Sequence, residues 1–179
     1  TDSREPSPTI LDAHFHLREE ARRLKLELGL KDRIALNLTF AFHECGWIDR
    51  LHVDSLSRLS SNYPVVVLSN LWGMPFFCNL VMERSGAKKS LDGIYYSSEI
   101  RRLKPCRDAF HHVCSAHDVS PENSLMIGDN IDLDIIAASE AGLQGMWLSY
   151  GRDLGSRQDK VDAMALDFPD AVNMILSHT

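Results

Sequence analysis

Hydrophobic and polar residues follow two different periods along this chain. In the first third, apolar residues recur at helical spacing from Thr9 to Leu30, and Gly29 stands where such a helix would stop. Residues 34–46 form a short apolar stretch that fits either a second helix or a buried connection. From Ile48 to Leu59 the helical spacing returns. The pattern therefore predicts that this part of the chain is mainly helical.

The period changes at residue 65. Val65–Leu68 is an apolar, mostly β-branched run bounded by Pro64 and by Ser69-Asn70, which is typical of a strand buried on both faces. The same criteria predict three further strands and four helices. The strands are Gly93–Ser97, Ser124–Gly128 and Met146–Leu148, and the helices cover about residues 75–85, 105–117, 132–142 and 168–178. Strands that alternate with helices across short links predict an α/β fold with a doubly wound parallel sheet.

Polar residues follow three of the predicted strands. Ligands of doubly wound sheets bind beyond the carboxyl ends of the strands, so these residues are the candidates for chemistry. Ser69 and Asn70 offer a hydroxyl and an amide that could hold a phosphoryl oxygen, although Ser-Asn is also a common turn. Lys104 directly precedes the proline that would open a helix, and a lysine there can neutralise phosphate. The usual position of a lysine is nevertheless on the solvated surface.

Two carboxylates follow the third predicted strand. Asp129 stands at the strand tip and Asp134 follows five residues later, with Asp132 between them. Carboxylates in this arrangement form a hard oxygen site that suits Mg²⁺. The alternative is that Asp132 and Asp134 merely complement the dipole of the following helix.

Composition narrows the possible functions. An apolar fraction of 44% and a charged fraction of 25% over 179 residues are typical of one globular domain. The net charge of −6 and the lack of a basic stripe argue against nucleic-acid binding. The apolar stretch 64–82 is interrupted by Gly73, Pro75 and Asn79, so we predict no membrane span, and the polar first residues do not form a signal peptide. Four cysteines without CxxC spacing suggest reduced thiols and a cytoplasmic protein.

Three segments together resemble motifs II, III and IV of the haloacid dehalogenase (HAD) superfamily. They are VVVLSN at residues 65–70, YYSSEIRRLKPCRDAF at 95–110 and SLMIGDNIDLDIIAASEAGL at 124–143. The resemblance covers about residues 47–179 and points to the β-phosphoglucomutase and phosphatase-like branch. It implies a Rossmann-like α/β core over 47–179, preceded by an N-terminal segment and a short, reduced helical cap over 1–46.

The resemblance also implies an activity. Members of this kind are Mg²⁺-dependent phosphatases, and the implied substrate is a small phosphorylated molecule. Ser69 and Asn70 would hold the phosphoryl oxygens, and Lys104 would balance their charge. Asp129, supported by Asp134, would hold Mg²⁺.

The chain departs from the family at motif I, the Asp-x-Asp-x-Thr sequence that supplies the nucleophile. One alignment makes Asp12 the nucleophile and puts His14 in place of the general acid. The other makes residues 12–30 the helix after motif I, which then falls near Glu5-Pro6-Ser7, where the chemistry is impossible. The unbroken helical period through Asp12 favours the second alignment. Three interpretations follow: a hydrolase of poor activity, an inactive binding or scaffold module, or a fragment whose first strand lies upstream.

Overall fold

The computed structural model describes residues 22–177 apart from positions 26, 28, 45 and 72. The predicted helix from Thr9 lies largely outside the described residues, and so does Asp12. Among the described residues are seven α-helices and five strands. The helices are α1 (Leu30–Glu44), α2 (Arg50–Ser60), α3 (Pro75–Ser85), α4 (Ser97–Ile100), α5 (Arg107–Ala116), α6 (Ala137–Glu140) and α7 (Phe168–Ser177). The strands are β1 (Val66–Ser69), β2 (Gly93–Tyr96), β3 (Leu125–Gly128), β4 (Gln144–Leu148) and β5 (Ala163–Ala165).

The strands form two parallel sheets. In the first, β1 pairs with β2 so that Val66 lies opposite Gly93. In the second, β4 lies between β3 and β5, and both pairs are parallel. Strands that alternate with helices and pair in parallel confirm the predicted α/β fold class. The fifth strand was not predicted, because a run of three residues is too short to display a period of two.

The core lies between the sheets and the helices. One cluster joins Phe110 of α5 to Ala137, Ala138 and Ala141, and Leu68 of β1 and Met126 of β3 both pack against it. A second cluster joins β4 to α7 through residues that include Met146, Leu148 and Ala171. The first cluster matters for function because it holds β1 and β3 on the same helical layer.

Two helices differ locally from the sequence prediction. The helix expected from Pro105 begins at Arg107, and Lys104 and Pro105 lie in the turn before it, with a cis peptide bond between them. The helix expected over 132–142 begins as a π-helical turn, Ile131–Ile136, and only then becomes α6. Gly142, which was expected to end this helix, follows it with a φ of +90°.

The N-terminal apolar stretch is helical rather than a buried connection. Leu30, Ile34 and Leu38 lie at i, i+4 and i+8 of α1, and all three are exposed. α1 meets the core region near its C-terminal end, where Gly73 N donates to Glu44 Oε2 at 2.6 Å.

The expectations about the cysteines and about membrane spans can be compared with the described residues. Cys106 and Cys114 are free thiols, but Cys78 is disulfide-bonded, so the expectation of reduced cysteines is wrong for Cys78. No helix within the described part of the chain is long and apolar enough to cross a membrane.

Candidate active site

Lys104 lies at the centre of a polar cluster at the carboxyl ends of the strands. Its backbone N–H donates to Asn70 Oδ1 at 2.8 Å, and Asn70 Nδ2 donates back to the Lys104 carbonyl at 2.7 Å. Two reciprocal hydrogen bonds of this kind fix a backbone segment without help from a helix or strand. The turn before Pro105 is therefore tied directly to the end of β1.

The Lys104 side chain reaches across to the second sheet. Its Nζ lies 2.6 Å from Asp134 Oδ1, and the two side chains are only 10% and 8% exposed. The other carboxylate oxygen of Asp134 accepts from Asn130 N at 3.0 Å. A buried ion pair is stable only when its members are also hydrogen-bonded, and Asp134 meets that condition. We call Asn70, Lys104 and Asp134, together with Asp129 directly after β3, the strand-end cluster.

Gly128 makes room for Asp134. A Cβ atom on Gly128 would lie 2.5 Å from Asp134 Oδ2 and 2.6 Å from its Cγ. Real Cβ atoms do not come so close to other heavy atoms, so any larger residue would move the carboxylate. The glycine directly before Asp129 is therefore required by the packing of the buried ion pair.

This packing gives a testable result. Gly128→Ala should lower the free energy of unfolding by about 1–3 kcal/mol, because overpacking a filled region forces side chains out of their rotamers. Urea unfolding followed by circular dichroism measures the change. Gly29→Ala is the matched control, since its Cβ would meet nothing closer than 3.4 Å and should change stability by less than about 0.5 kcal/mol. Equal stability of Gly128→Ala and the wild type would contradict the argument.

Asp129 has a different environment from Asp134. Its side chain is 62% exposed, and its Oδ2 lies 3.6 Å from Arg152 Nη2. The Asp129 carbonyl accepts from Trp147 Nε1 at 3.1 Å and from Arg152 Nη2 at 2.9 Å. Asp129 thus presents an accessible carboxylate on a backbone that β4 and the segment after it hold in place.

Arg152 is held tightly for a surface arginine. It also donates to the carbonyls of Ser149 and Leu148 at 2.9 and 3.0 Å. Its guanidinium lies 5.4 Å from the centre of the Trp147 ring and 5.9 Å from that of Tyr150, distances typical of cation–π contacts. Burial and the negative charge of Asp129 raise the pKa of Tyr150, so its hydroxyl stays protonated at neutral pH.

Sequence analysis did not identify Arg152 as a site residue. The rule that singled out Ser69 and Lys104 would have found it, because residues 149–152 follow a predicted strand. Asp132, in contrast, makes an exposed ion pair with Arg157 Nη1 at 3.0 Å. Ser69 is the last residue of β1 and is half-buried beside the cluster.

Comparison with known proteins agrees with the predicted fold. Residues 102–172 match the model of the HAD-hydrolase-like family. The described fold is similar to solved HAD structures, with a TM-score of 0.67 to a HAD phosphatase from Thermococcus onnurineus. The described residues therefore have the fold of these HAD proteins, and residues 102–172 are similar to the HAD-hydrolase-like family.

The similarity to individual HAD proteins is distant. The Thermococcus onnurineus phosphatase is 17% identical, over 97% of this chain and 74% of that one. The L-2-haloacid dehalogenase RSc1362 is 22% identical with a TM-score of 0.67, over 89% of this chain and 69% of that one. A HAD-hydrolase from Bacillus subtilis, YfnB, bound to magnesium, is 20% identical with a TM-score of 0.61, over 68% and 53% of the two chains.

The curated relatives match only part of this chain. N-acylneuraminate-9-phosphatase of Rattus norvegicus is 29% identical over 69 residues, which are 38% of this chain and 28% of that protein. The protein of the same name from Mus musculus matches to the same extent. This chain therefore spans less than a third of the length of the curated relatives it matches.

Proposed function

We propose that this chain is a HAD-type hydrolase domain for a small phosphate ester, with a strand-end cluster that binds phosphate and Mg²⁺ but turns substrate over poorly. The observation that carries the proposal is Lys104, a buried cation held between Asn70 at the end of one strand and Asp134 after another. Ligands of parallel sheets bind at this edge, so a buried lysine fixed there supports a role for Lys104 in neutralising a phosphate group.

The remaining residues divide between binding and positioning. Ser69, half-buried at the end of β1 and directly before Asn70, is our candidate hydroxyl donor for a phosphoryl oxygen. Asn70 was predicted to bind phosphate directly, but its amide already bonds the Lys104 backbone in both directions. We assign Asn70 mainly to the orientation of Lys104.

The donors suit a weakly held Mg²⁺ ion. Mg²⁺ is usually bound by one or two carboxylates, with waters and substrate phosphates completing its octahedron. The accessible carboxylate of Asp129 fits this pattern, and the ion would neutralise phosphate charge beside it. Asp134 was expected as a second ligand, but its two oxygens accept from Lys104 and Asn130, so we assign it to holding Lys104. Within the described residues no group of three acidic, histidine or cysteine side chains could hold a metal.

Magnesium binding tests this assignment. Isothermal titration with MgCl₂ should show weak binding to the wild type and none to Asp129→Asn. Asp132→Asn is the matched control, because it removes a nearby exposed carboxylate that pairs with Arg157. We expect it to bind Mg²⁺ within about twofold of the wild type, since exposed pairs contribute little. Undiminished binding by Asp129→Asn would contradict the assignment.

The alternative function is a HAD-fold binding module that has lost its nucleophile. Arg152 favours it, because its guanidinium already lies 3.6 Å from the carboxylate that would bind the metal. Both functions predict phosphate binding, and only the first predicts hydrolysis. A phosphatase assay with Mg²⁺ separates them.

A further inference from the structure

The segment between β2 and α5 is fixed at both ends to the residues that follow β1. At its start, the Ser97 hydroxyl accepts from Leu71 N at 3.1 Å, and this serine is only 4% exposed. At its end, the Lys104 backbone and Asn70 exchange two hydrogen bonds. Because Asn70 and Leu71 are consecutive, residues 97–104 form a closed loop. This loop lies at the carboxyl ends of β1 and β2, which pair in parallel.

Two arginines lie in this loop just before Lys104. Arg101 and Arg102 are both exposed, and among the residues that the structure describes neither pairs with a carboxylate. Arg102 donates from Nη1 to the Ile100 carbonyl at 3.0 Å, which anchors its guanidinium at the end of α4. Lys104 follows two residues later, so the Cα atoms of Arg102 and Lys104 are at most about 7 Å apart. Both arginines therefore lie beside the strand-end cluster.

The loop is strongly basic although the chain is acidic. Residues 101–107 (RRLKPCR) include four basic side chains and no carboxylate, whereas the whole chain has a net charge of −6. Asp134 pairs with Lys104 in this group. The exposed Arg107 begins α5, where the helix dipole disfavours a cation. The positive charge here exceeds what one buried ion pair needs, and it attracts anions to this edge of the sheet.

Arg101 has a backbone conformation that suits glycine better than arginine. It ends α4 in the left-handed region, with φ of +53° and ψ of +36°. Glycine is the usual residue there, because any Cβ atom is disfavoured in that region. Residues held in this way cost free energy and occur preferentially at ligand-binding sites. Since the turn itself would accept glycine, the arginine side chain indicates a role outside the fold.

We propose that Arg101 and Arg102 bind a second anionic group of the substrate, beside the phosphate at Lys104. The substrate is then a phosphate ester that also carries a carboxylate or a second phosphate, separated from the first by a short chain of atoms. Guanidinium groups suit both anions, because their planar N–H donors form paired hydrogen bonds with carboxylate and phosphate oxygens. This inference rests on the phosphate site proposed above.

Non-hydrolysable phosphonates test the inference by isothermal titration. Propylphosphonate carries one anionic group, whereas propane-1,3-bisphosphonate and 4-phosphonobutanoate carry a second one across the same short methylene chain. The titrations are done without Mg²⁺, because bisphosphonates bind that ion themselves. At least one of the two longer probes should bind the wild type about tenfold more tightly than propylphosphonate, since each exposed ion pair contributes only a small factor. The tighter of the two identifies the second group.

A pair of arginine substitutions removes the proposed second site. Arg101→Gly/Arg102→Gln should lose the preference for a second anionic group and bind propylphosphonate within about twofold of the wild type. Its stability in urea should match that of the wild type, because glycine suits the left-handed conformation at residue 101. The matched control is Lys88→Gln/Lys89→Gln, which removes two neighbouring exposed cations just before β2, at the opposite edge of the sheet. It should keep the preference.

The outcomes distinguish this inference from the proposed function. Binding of propylphosphonate with no preference for a second anionic group would overturn the inference and leave the phosphate site standing. A preference that survives in the arginine variant, or that the lysine variant loses equally, would overturn it as well. If none of the phosphonates binds, the phosphate site at Lys104 is wrong and the inference fails with it.

Discussion

Replacement of Lys104 by methionine should lower the free energy of unfolding by about 3–5 kcal/mol. The change removes one member of a buried ion pair and leaves the Asp134 carboxylate without its ammonium partner at 8% exposure. Domains of this size are stable by only about 5–15 kcal/mol, so this is among the largest single effects expected. Urea unfolding followed by tryptophan fluorescence measures it.

Two control variants separate the effect of burying the ion pair from the effect of losing one charge. Lys88→Met breaks an ion pair of the same 2.6 Å length with Glu83, but those side chains are 45% and 56% exposed, so the loss should be below about 1 kcal/mol. The double variant Lys104→Met/Asp134→Leu removes both buried charges, and it should be more stable than Lys104→Met alone. A Lys104→Met protein as stable as Lys88→Met would show that the buried pair does not hold the strand-end cluster together.

The second large effect concerns catalysis. Hydrolysis of p-nitrophenyl phosphate with Mg²⁺ should be absent or barely detectable in the wild type. Loss of the nucleophile costs on the order of a million-fold in rate in an enzyme with a covalent intermediate, while electrostatic groups such as Lys104 still bind substrate. Asp12→Asn should behave like the wild type, since the unbroken helical period through Asp12 marks it as a carboxylate at a helix start.

Other outcomes of this assay are equally informative. Robust turnover that Asp12→Asn abolishes would make Asp12 the nucleophile and overturn the preferred alignment. Robust turnover in both proteins would require a nucleophile elsewhere in the chain. Either result would contradict the expectation of poor turnover without affecting the fold class.

Local sequence was sufficient to predict most of the fold. Runs such as Val65–Leu68 and Ser124–Gly128 stand out because they are apolar, short and bounded by turn residues, and the corresponding strands form. The hydrophobic pattern of a single strand does not show which other strands it pairs with. The separation into two sheets depends on which strands become neighbours, and that is a property of the whole chain.

The candidate site was also only partly predictable from the sequence. The position of Lys104 and Asp134 after strands was readable from the sequence, but their pairing across 30 residues was not. A lysine such as Lys104 more commonly lies on the solvated surface, and a carboxylate such as Asp134 more commonly lies exposed at a helix start. Burial decides between them, and burial depends on packing against distant elements.

The most direct test of the strand-end cluster is the coupling between Mg²⁺ and phosphate. Isothermal titration of inorganic phosphate into the wild type, with and without saturating Mg²⁺, should show tighter binding with the ion, because in our proposal Mg²⁺ at Asp129 neutralises a phosphate held by Lys104. By linkage, phosphate must raise the affinity for Mg²⁺ by the same factor. In Asp129→Asn the coupling should vanish while weak phosphate binding remains. Phosphate binding that is absent, or that ignores Mg²⁺ in the wild type, would contradict the assignment of this cluster as a phosphate site.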